Sequence, residues 1–215
     1  NGYKRSAFDS CLFFKINEHE MTFVVIHVDD TFIFSTSDAA INMFVNMLQV
    51  KFDITINDDA DSYLGVSFET DPITGNVKLH QPKLIQTLLD QYSSQVKAPP
   101  TTITTKDYQQ LLATLMYLTK SRPDIQTSIS FAATHAKDPT LEHYVDLLKV
   151  VSYIERTRDY GLIIQAYNYE SAQPLQLICH VDASYLTHED SKSHTGYTLS
   201  FGNVGTFYSK SSKQS

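Results

Sequence analysis

Two cysteines, Cys11 and Cys179, are all that the 215 residues contain. They are far apart and have no Cys or His beside them at zinc-ligand spacing, so neither a disulfide framework nor a zinc site is expected. Both are expected as buried thiols. Long apolar runs are missing too: none approaches the roughly 20 residues of a membrane span, and the opening NGYKRSAFDS has no signal-peptide layout. No membrane partner is expected, and a cytoplasmic or nuclear setting is the default. Positive charge is scarce, with 17 Lys and Arg against 24 Asp and Glu, a net charge of −7. Domains that live on nucleic acid usually display a basic surface, so composition alone argues against strong nucleic-acid affinity. The chain also lacks an initiator Met, which suggests a fragment or a processed product. What is present is a globular composition: 42% apolar and 12% aromatic residues, enough for one or two cores.

The pattern along the chain is α+β. Met21 to Ser35 reads MTFVVIHVDDTFIFS, two β-branched and aromatic runs separated by Asp29 and Asp30, which predicts a β-hairpin with two carboxylates at its tip. Ser37 or Asp38 can cap a following helix, whose Ile41, Phe44, Val45 and Leu48 recur at helical spacing and predict packing on the sheet. SYLGVSFETDPITGNVKLH alternates on both sides of the turn formers DPITGN, a second hairpin. Pro82 suits the first turn of a helix through Leu84, Ile85, Leu88 and Leu89, and SSQVKAPPTTITT reads as a linker. Three consecutive helices are predicted over Lys106 to Lys120, Arg122 to Lys137 and Thr140 to Asp159. Strands return after Gly161 in GLIIQAY, PLQLICHVDAS, HTGYTLSFG and GTFYSK, with YLTHEDSKS as a polar loop.

Adjacent carboxylates on an apolar hairpin repel unless they share a cation, so Asp29 and Asp30 are candidate ligands for a divalent metal. The plainer reading is an Asp-Asp turn in water. Asp182, in the middle of LICHVDAS, would be costly to bury without a metal or hydrogen-bonding partners; the plainer reading is a strand Asp that accepts backbone hydrogen bonds. His180, two residues earlier, shares its face and is read as structural. His188, Glu189, Asp190 and His194 are read as a solvated loop. Lys120 and Arg122, at a junction of two helices, are read from the residues alone as surface charge. In Tyr63, Leu64 and Gly65, strand alternation would put Tyr63 and Gly65 on one face and Leu64 on the other.

IHVDDTFIFS resembles the aromatic-x-Asp-Asp motif of reverse transcriptases in the form carried by copia-type retrotransposon (Pseudoviridae) Pol polyproteins. GYKRSAFDSCLFF before it and SYLGVSFE after it resemble the segments that flank that motif. LHQPKLIQTLLDQY, LLATLMYLTKSRPDI and the stretch from HVDAS to SKSSKQS follow in the family's order, so that the resemblance covers essentially the whole chain.

The resemblance implies the C-terminal part of a reverse-transcriptase palm with a primer-grip hairpin over residues 1–80, thumb-like helices over 81–160 and the first strands of a ribonuclease H-like fold over 161–215. It implies Asp29 and Asp30 as catalytic metal ligands, Asp182 as the first aspartate of a ribonuclease H centre, Tyr63, Leu64 and Gly65 as primer-grip residues, and Lys120 and Arg122 as nucleic-acid contacts. It further implies Mg2+ or Mn2+ as cofactor and an RNA/DNA template-primer as partner, in an RNA-directed DNA polymerase with ribonuclease H. The fingers, the first palm aspartate and the remaining ribonuclease H ligands of that family have no counterpart in these residues, so inactivity in isolation is expected. His27 stands where the family usually has tyrosine. A second reading is a domesticated, catalytically dead remnant kept as an interaction module in a larger protein or nucleoprotein assembly. A third, an unrelated metal hydrolase, would need Asp29, Asp30 and Asp182 to meet in space.

Overall fold

The computed structural model describes residues 2–58, 61–166, 176–188, 190–202 and 204–214. It is α+β, with antiparallel sheets and five α-helices, and divides into two units, Asn1–Tyr63 and Leu64–Ser215. Among the described residues, no helix is long and apolar enough to cross a membrane.

The first unit is a four-stranded sheet in the order β1 (Lys4–Arg5), β2 (Leu12–Ile16), β3 (Met21–His27) and β4 (Asp30–Ser35), followed by α1 (Asp38–Gln49) and the short β5 (Ser62–Tyr63). Alternation along β3 buries Thr22 and Val24 completely, and Val24 faces Ile33 across the β3–β4 pair. Phe23 stacks on Phe34 at 5.2 Å, a cross-strand aromatic pair of the kind that fixes register. Ser37 rather than Asp38 is the helix cap: its Oγ accepts from the Ala40 amide at 3.3 Å, satisfying one of the orphan donors of the first turn. α1 packs on β4, as its spacing predicts.

The second unit is organised around α2 (Pro82–Lys97), α3 (Thr105–Leu118), α4 (Gln126–Ala133), which continues a 3-10 turn at Pro123–Ile125, and α5 (Leu141–Arg156). Leu88, Tyr108, Leu111, Leu115, Leu118, Leu147, Val151 and Ile154 form the buried centre of this helical core, each contributing about 1.5–3 kcal/mol by leaving water. Two buried tyrosines keep polar partners: Tyr108 donates to the Ala132 carbonyl at 2.7 Å and Tyr144 to Gln95 Oε1 at 2.8 Å. Burial pushes both phenols up to about 12. The Gln95 contact explains one departure from the sequence reading: α2 runs through Ser93, Ser94 and Gln95 to Lys97, because Val96 packs on the same core, and only the residues from Ala98 to Thr104 link it to α3. Thr104 caps α3 in a reciprocal box with Asp107.

Strand β8 (Leu162–Ile164), which follows α5, pairs with β7 (Val77–His80), which pairs in turn with β6 (Val66–Thr70), all antiparallel. That pairing ties the second predicted hairpin to the chain beyond the helices, a link no local pattern announces. Gly161 makes it possible: a Cβ there would lie 2.6 Å from the Leu79 carbonyl oxygen. The remaining sheet has the order β9 (Leu177–Ser184), β10 (His194–Phe201), β11 (Thr206–Lys213). β11 packs against α4, where Ser130 Oγ donates to the Ser211 carbonyl at 2.7 Å. β9 lies at the edge and is exposed along almost its whole length. Both cysteines are therefore exposed rather than buried, Cys179 on this edge and Cys11 in the turn that precedes β2.

Candidate functional site

The last cross-strand pair of the β3–β4 hairpin is His27 with Asp30, which leaves Val28 and Asp29 as a two-residue turn. Val28 has φ 55°, and positive φ at the first central position is the mark of a II′ turn, where glycine is the usual choice. A β-branched residue there is an outlier, with a strain of about 1 kcal/mol. Val28 is also 88% exposed, so no packing offsets that strain. Replacing Val28 with Gly is expected to stabilise the first unit by about 0.5 kcal/mol, after the extra freedom glycine gives the unfolded chain. A raised Tm would show it; a lowered Tm would mean that Val28 makes contacts worth more than its strain.

Asp29 and Asp30 are both exposed at this tip. The strands beneath them are stiff: Phe32 packs on Phe34 at 5.9 Å and on Tyr63 at 5.2 Å, and the Ile26 amide donates to the Cys11 carbonyl at 2.9 Å. The Tyr63 hydroxyl is buried without a hydrogen-bond partner. Burial raises its pKa, with the charge of Asp30 and then Cys11 adding to the effect. A phenol within electrostatic reach of Asp30 was not legible in the sequence, because 32 intervening positions and a helix separate the two in the chain. Among the described residues no group of three or more His, Cys, Asp or Glu side chains is placed to hold a metal ion. The hairpin tip offers a pair: two adjacent, solvent-accessible carboxylates, hard oxygen donors of the kind that suits Mg2+ or Mn2+.

Leu64 and Gly65, in the second unit, do not alternate as strand residues. Both have positive φ, 49° and 72°, and form a tight turn whose Leu64 carbonyl accepts from the Tyr117 hydroxyl. Lys120 sits over the Tyr117 ring, its Nζ 4.2 Å from the centroid, and is exposed. Leu64, Gly65, Tyr117 and Lys120 thus form one surface patch with a cation at its edge.

Arg122 corrects the sequence reading. It is 1% exposed and its guanidinium is fully engaged inside the protein: Nε and Nη2 donate to the two Asp124 oxygens at 2.9 and 2.7 Å, and Nη1 and Nη2 donate to the Thr157 carbonyl and Oγ1 at 3.0 and 2.7 Å. A phosphate could not reach it. The side chain turns inward because Pro123 starts a 3-10 turn that carries Asp124 back beneath it.

Asp182 is exposed on β9, opposite Gly196, and its Oδ1 accepts from the Ala183 amide at 2.9 Å. The premise of a buried carboxylate therefore fails, because both faces of β9 are open to solvent along almost its whole length. Asp182 lines a cleft of about 400 Å³ with His180, Thr127, Phe131 and Lys210. It lies in the second unit, whereas Asp29 and Asp30 lie in the first. Glu189 falls outside the described residues. His188 and His194, expected in solvent, are buried instead, at 9% and 6% exposure.

No protein-family model matches the chain, and no solved structure matches it. Among curated proteins, it is 24% identical over 195 residues to an uncharacterized mitochondrial protein of Arabidopsis thaliana, covering 84% of this chain and 79% of that protein. It is 22% identical over 218 residues to the retrovirus-related Pol polyprotein from transposon RE2 of Arabidopsis thaliana, covering 94% of this chain and 14% of the polyprotein. To the Pol polyprotein from transposon TNT 1-94 of Nicotiana tabacum it is 24% identical over 224 residues, covering 93% of this chain and 16% of the polyprotein. The chain spans a small part of the length of these polyproteins, and within that part the match is nearly end to end. The copia-type resemblance of the Asp29-Asp30 segment and this near-complete coverage agree: the chain is a homologue of retrotransposon Pol polyproteins.

Proposed function

We propose that this chain is the segment of a retrotransposon RNA-directed DNA polymerase that carries the Asp-Asp hairpin of the palm, followed by thumb-like helices and the opening strands of its ribonuclease H. The observation that carries this reading is the β3–β4 tip. Asp29 occupies the second position of a two-residue turn and Asp30 opens β4, so both carboxylates stand at the end of a rigid, aromatic-packed hairpin and are open to solvent. In this role Asp29 and Asp30 hold Mg2+ or Mn2+. The bound ions would supply the electrostatic stabilisation that nucleotidyl transfer requires.

The hairpin fixes where the two carboxylates sit, and the Tyr63 ring against Phe32 keeps the strand behind them from shifting. Two carboxylates leave a pair of divalent ions short of ligands, so substrate phosphates and another part of the polymerase complete the shell. Lys120, beside Tyr117 and the Leu64-Gly65 turn, is a backbone contact for an RNA/DNA template-primer; Arg122 is not. Asp182 is the corresponding metal ligand of the ribonuclease H part.

The test is RNA-templated primer extension with magnesium or manganese by a Pol polypeptide that includes this segment, with Asp29→Asn as the comparison. Extension that survives the substitution would end the assignment. The 215-residue chain by itself is expected to give no extension.

A further inference from the structure

At the junction of α4 with the β9–β11 sheet, three side chains form a hydrogen-bonded line. His188 Nε2 lies 2.9 Å from His194 Nδ1, and His194 Nε2 lies 2.6 Å from Ser211 Oγ. Both imidazoles stack on Phe131 of α4, with centroids at 4.6 and 4.4 Å, and both are buried. Phe131 and the Ser130 bond to the Ser211 carbonyl are the polar and aromatic means by which α4 meets this sheet. We propose that the His188–His194 pair is a proton-operated clasp, which fastens the β9–β11 sheet to α4 when the imidazoles are neutral and loosens it in an acidic setting.

The argument follows from proton count. Two neutral imidazoles facing at hydrogen-bond distance share one proton, with one ring donating and the other accepting. A first added proton on His194 keeps the bonds to His188 and Ser211 but places a cation in a buried site, which already weakens the folded state. A second puts N–H groups on both facing nitrogens and replaces the bond with a repulsion between two buried cations. The surroundings offer little relief. α4 contributes no charged side chain, its sequence being QTSISFAA. On β11, Lys213 is paired with Asp190 at 2.8 Å, and Lys192 in the connecting loop adds positive charge. On β9, Asp182 and His180 share the face of His194 by register, but both are exposed. Burial, and then the neighbouring His188, lowers the His194 pKa. The sign is therefore set: the stabilisation is complete above the ordinary imidazole pKa of about 6.5 and declines as pH falls below it.

Hydrogen exchange of the full chain at pH 7.5 and 5.0, corrected for intrinsic rates, tests this. The wild type is expected to exchange several-fold faster at the lower pH in α4, β10 and β11, with α2, α3 and α5 unchanged. In His194→Gln that pH difference should vanish. A wild type with the same protection at both pH values, or a variant that keeps the full difference, would overturn the proposal. Should His194→Gln lose protection at both pH values, His188→Gln decides: it retains His194 without a facing imidazole, and a pH difference as large as that of the wild type would equally overturn it.

Discussion

Asp29→Asn is expected to lower RNA-templated primer extension by at least about a hundredfold in a Pol polypeptide that carries this segment. Residues that only orient a metal's ligands typically cost 10- to 100-fold when replaced, and a direct carboxylate ligand should cost no less. Asparagine keeps the size and one oxygen but removes the negative charge that holds a divalent ion. Because Asp29 is exposed at a turn, its replacement should leave stability within about 0.5 kcal/mol. Asp30→Asn should also impair extension, and there the Tyr63 pKa should fall, since the Asp30 charge helps to raise it. An Asp29→Asn protein that extends primers at the wild-type rate with an unchanged Tm would remove the metal role from the hairpin.

Arg122→Ala is expected to cost the second unit about 3 kcal/mol. Breaking a buried ion pair by removing one partner costs roughly 3–5 kcal/mol, and the lower end applies because the Asp124 side chain keeps 35% of its exposure and water can reach it. Packing is lost as well, since the guanidinium lies 5.5 Å from the centroids of both Tyr153 and Tyr160. For a unit of this size the shift in Tm should be roughly 6–12 °C. Arg122→Lys should recover only part of this, because an ammonium cannot reproduce the planar fork that grips Asp124 and Thr157 together. The pH dependence gives an independent check. Burial alone would raise the Asp124 pKa, but the hydrogen bonds and charge of Arg122, with the Tyr153 hydroxyl and a backbone amide, outweigh it and the net shift is downward. Its contribution is thus present above the ordinary carboxylate pKa of about 4 and lost as pH falls below it. Arg122→Ala should flatten that acid limb, whereas Lys120→Ala, at an exposed position, should change neither stability nor its pH profile.

The element order was legible because its signals are local. Period-two alternation in MTFVVIH and period-3.6 spacing in LLATLMYL survive any tertiary context, and Pro82 and Thr140 mark helix starts by chemistry that acts within four residues. The Asp-Asp tip was legible for the same reason. The fate of single polar side chains was not. Lys120 and Arg122 are two residues apart and carry the same charge, yet one is at the surface and the other is among the most buried side chains in the protein. Part of the difference is the Asp124 carboxylate that the Pro123 turn brings beneath Arg122, and part is Thr157, 35 positions away. His188 and His194 read as loop residues until Phe131 of α4 covers them. Asp182 and Cys179 sit in an apolar-looking strand whose two faces stay open to solvent, because α4 packs on β11 of that sheet.

The sequence by itself thus determined the kinds and order of the elements from Met21 onward, though not β1 and β2 before it, together with the paired carboxylates of the β3–β4 turn and the kinship with retrotransposon Pol polyproteins, all of which depend on residues close together in the chain. Only the tertiary structure decided which charges meet solvent, which histidines meet each other and which phenol stands beside Asp30. Those outcomes depend on contacts between distant segments, and on the desolvation that such contacts impose, which no local pattern encodes.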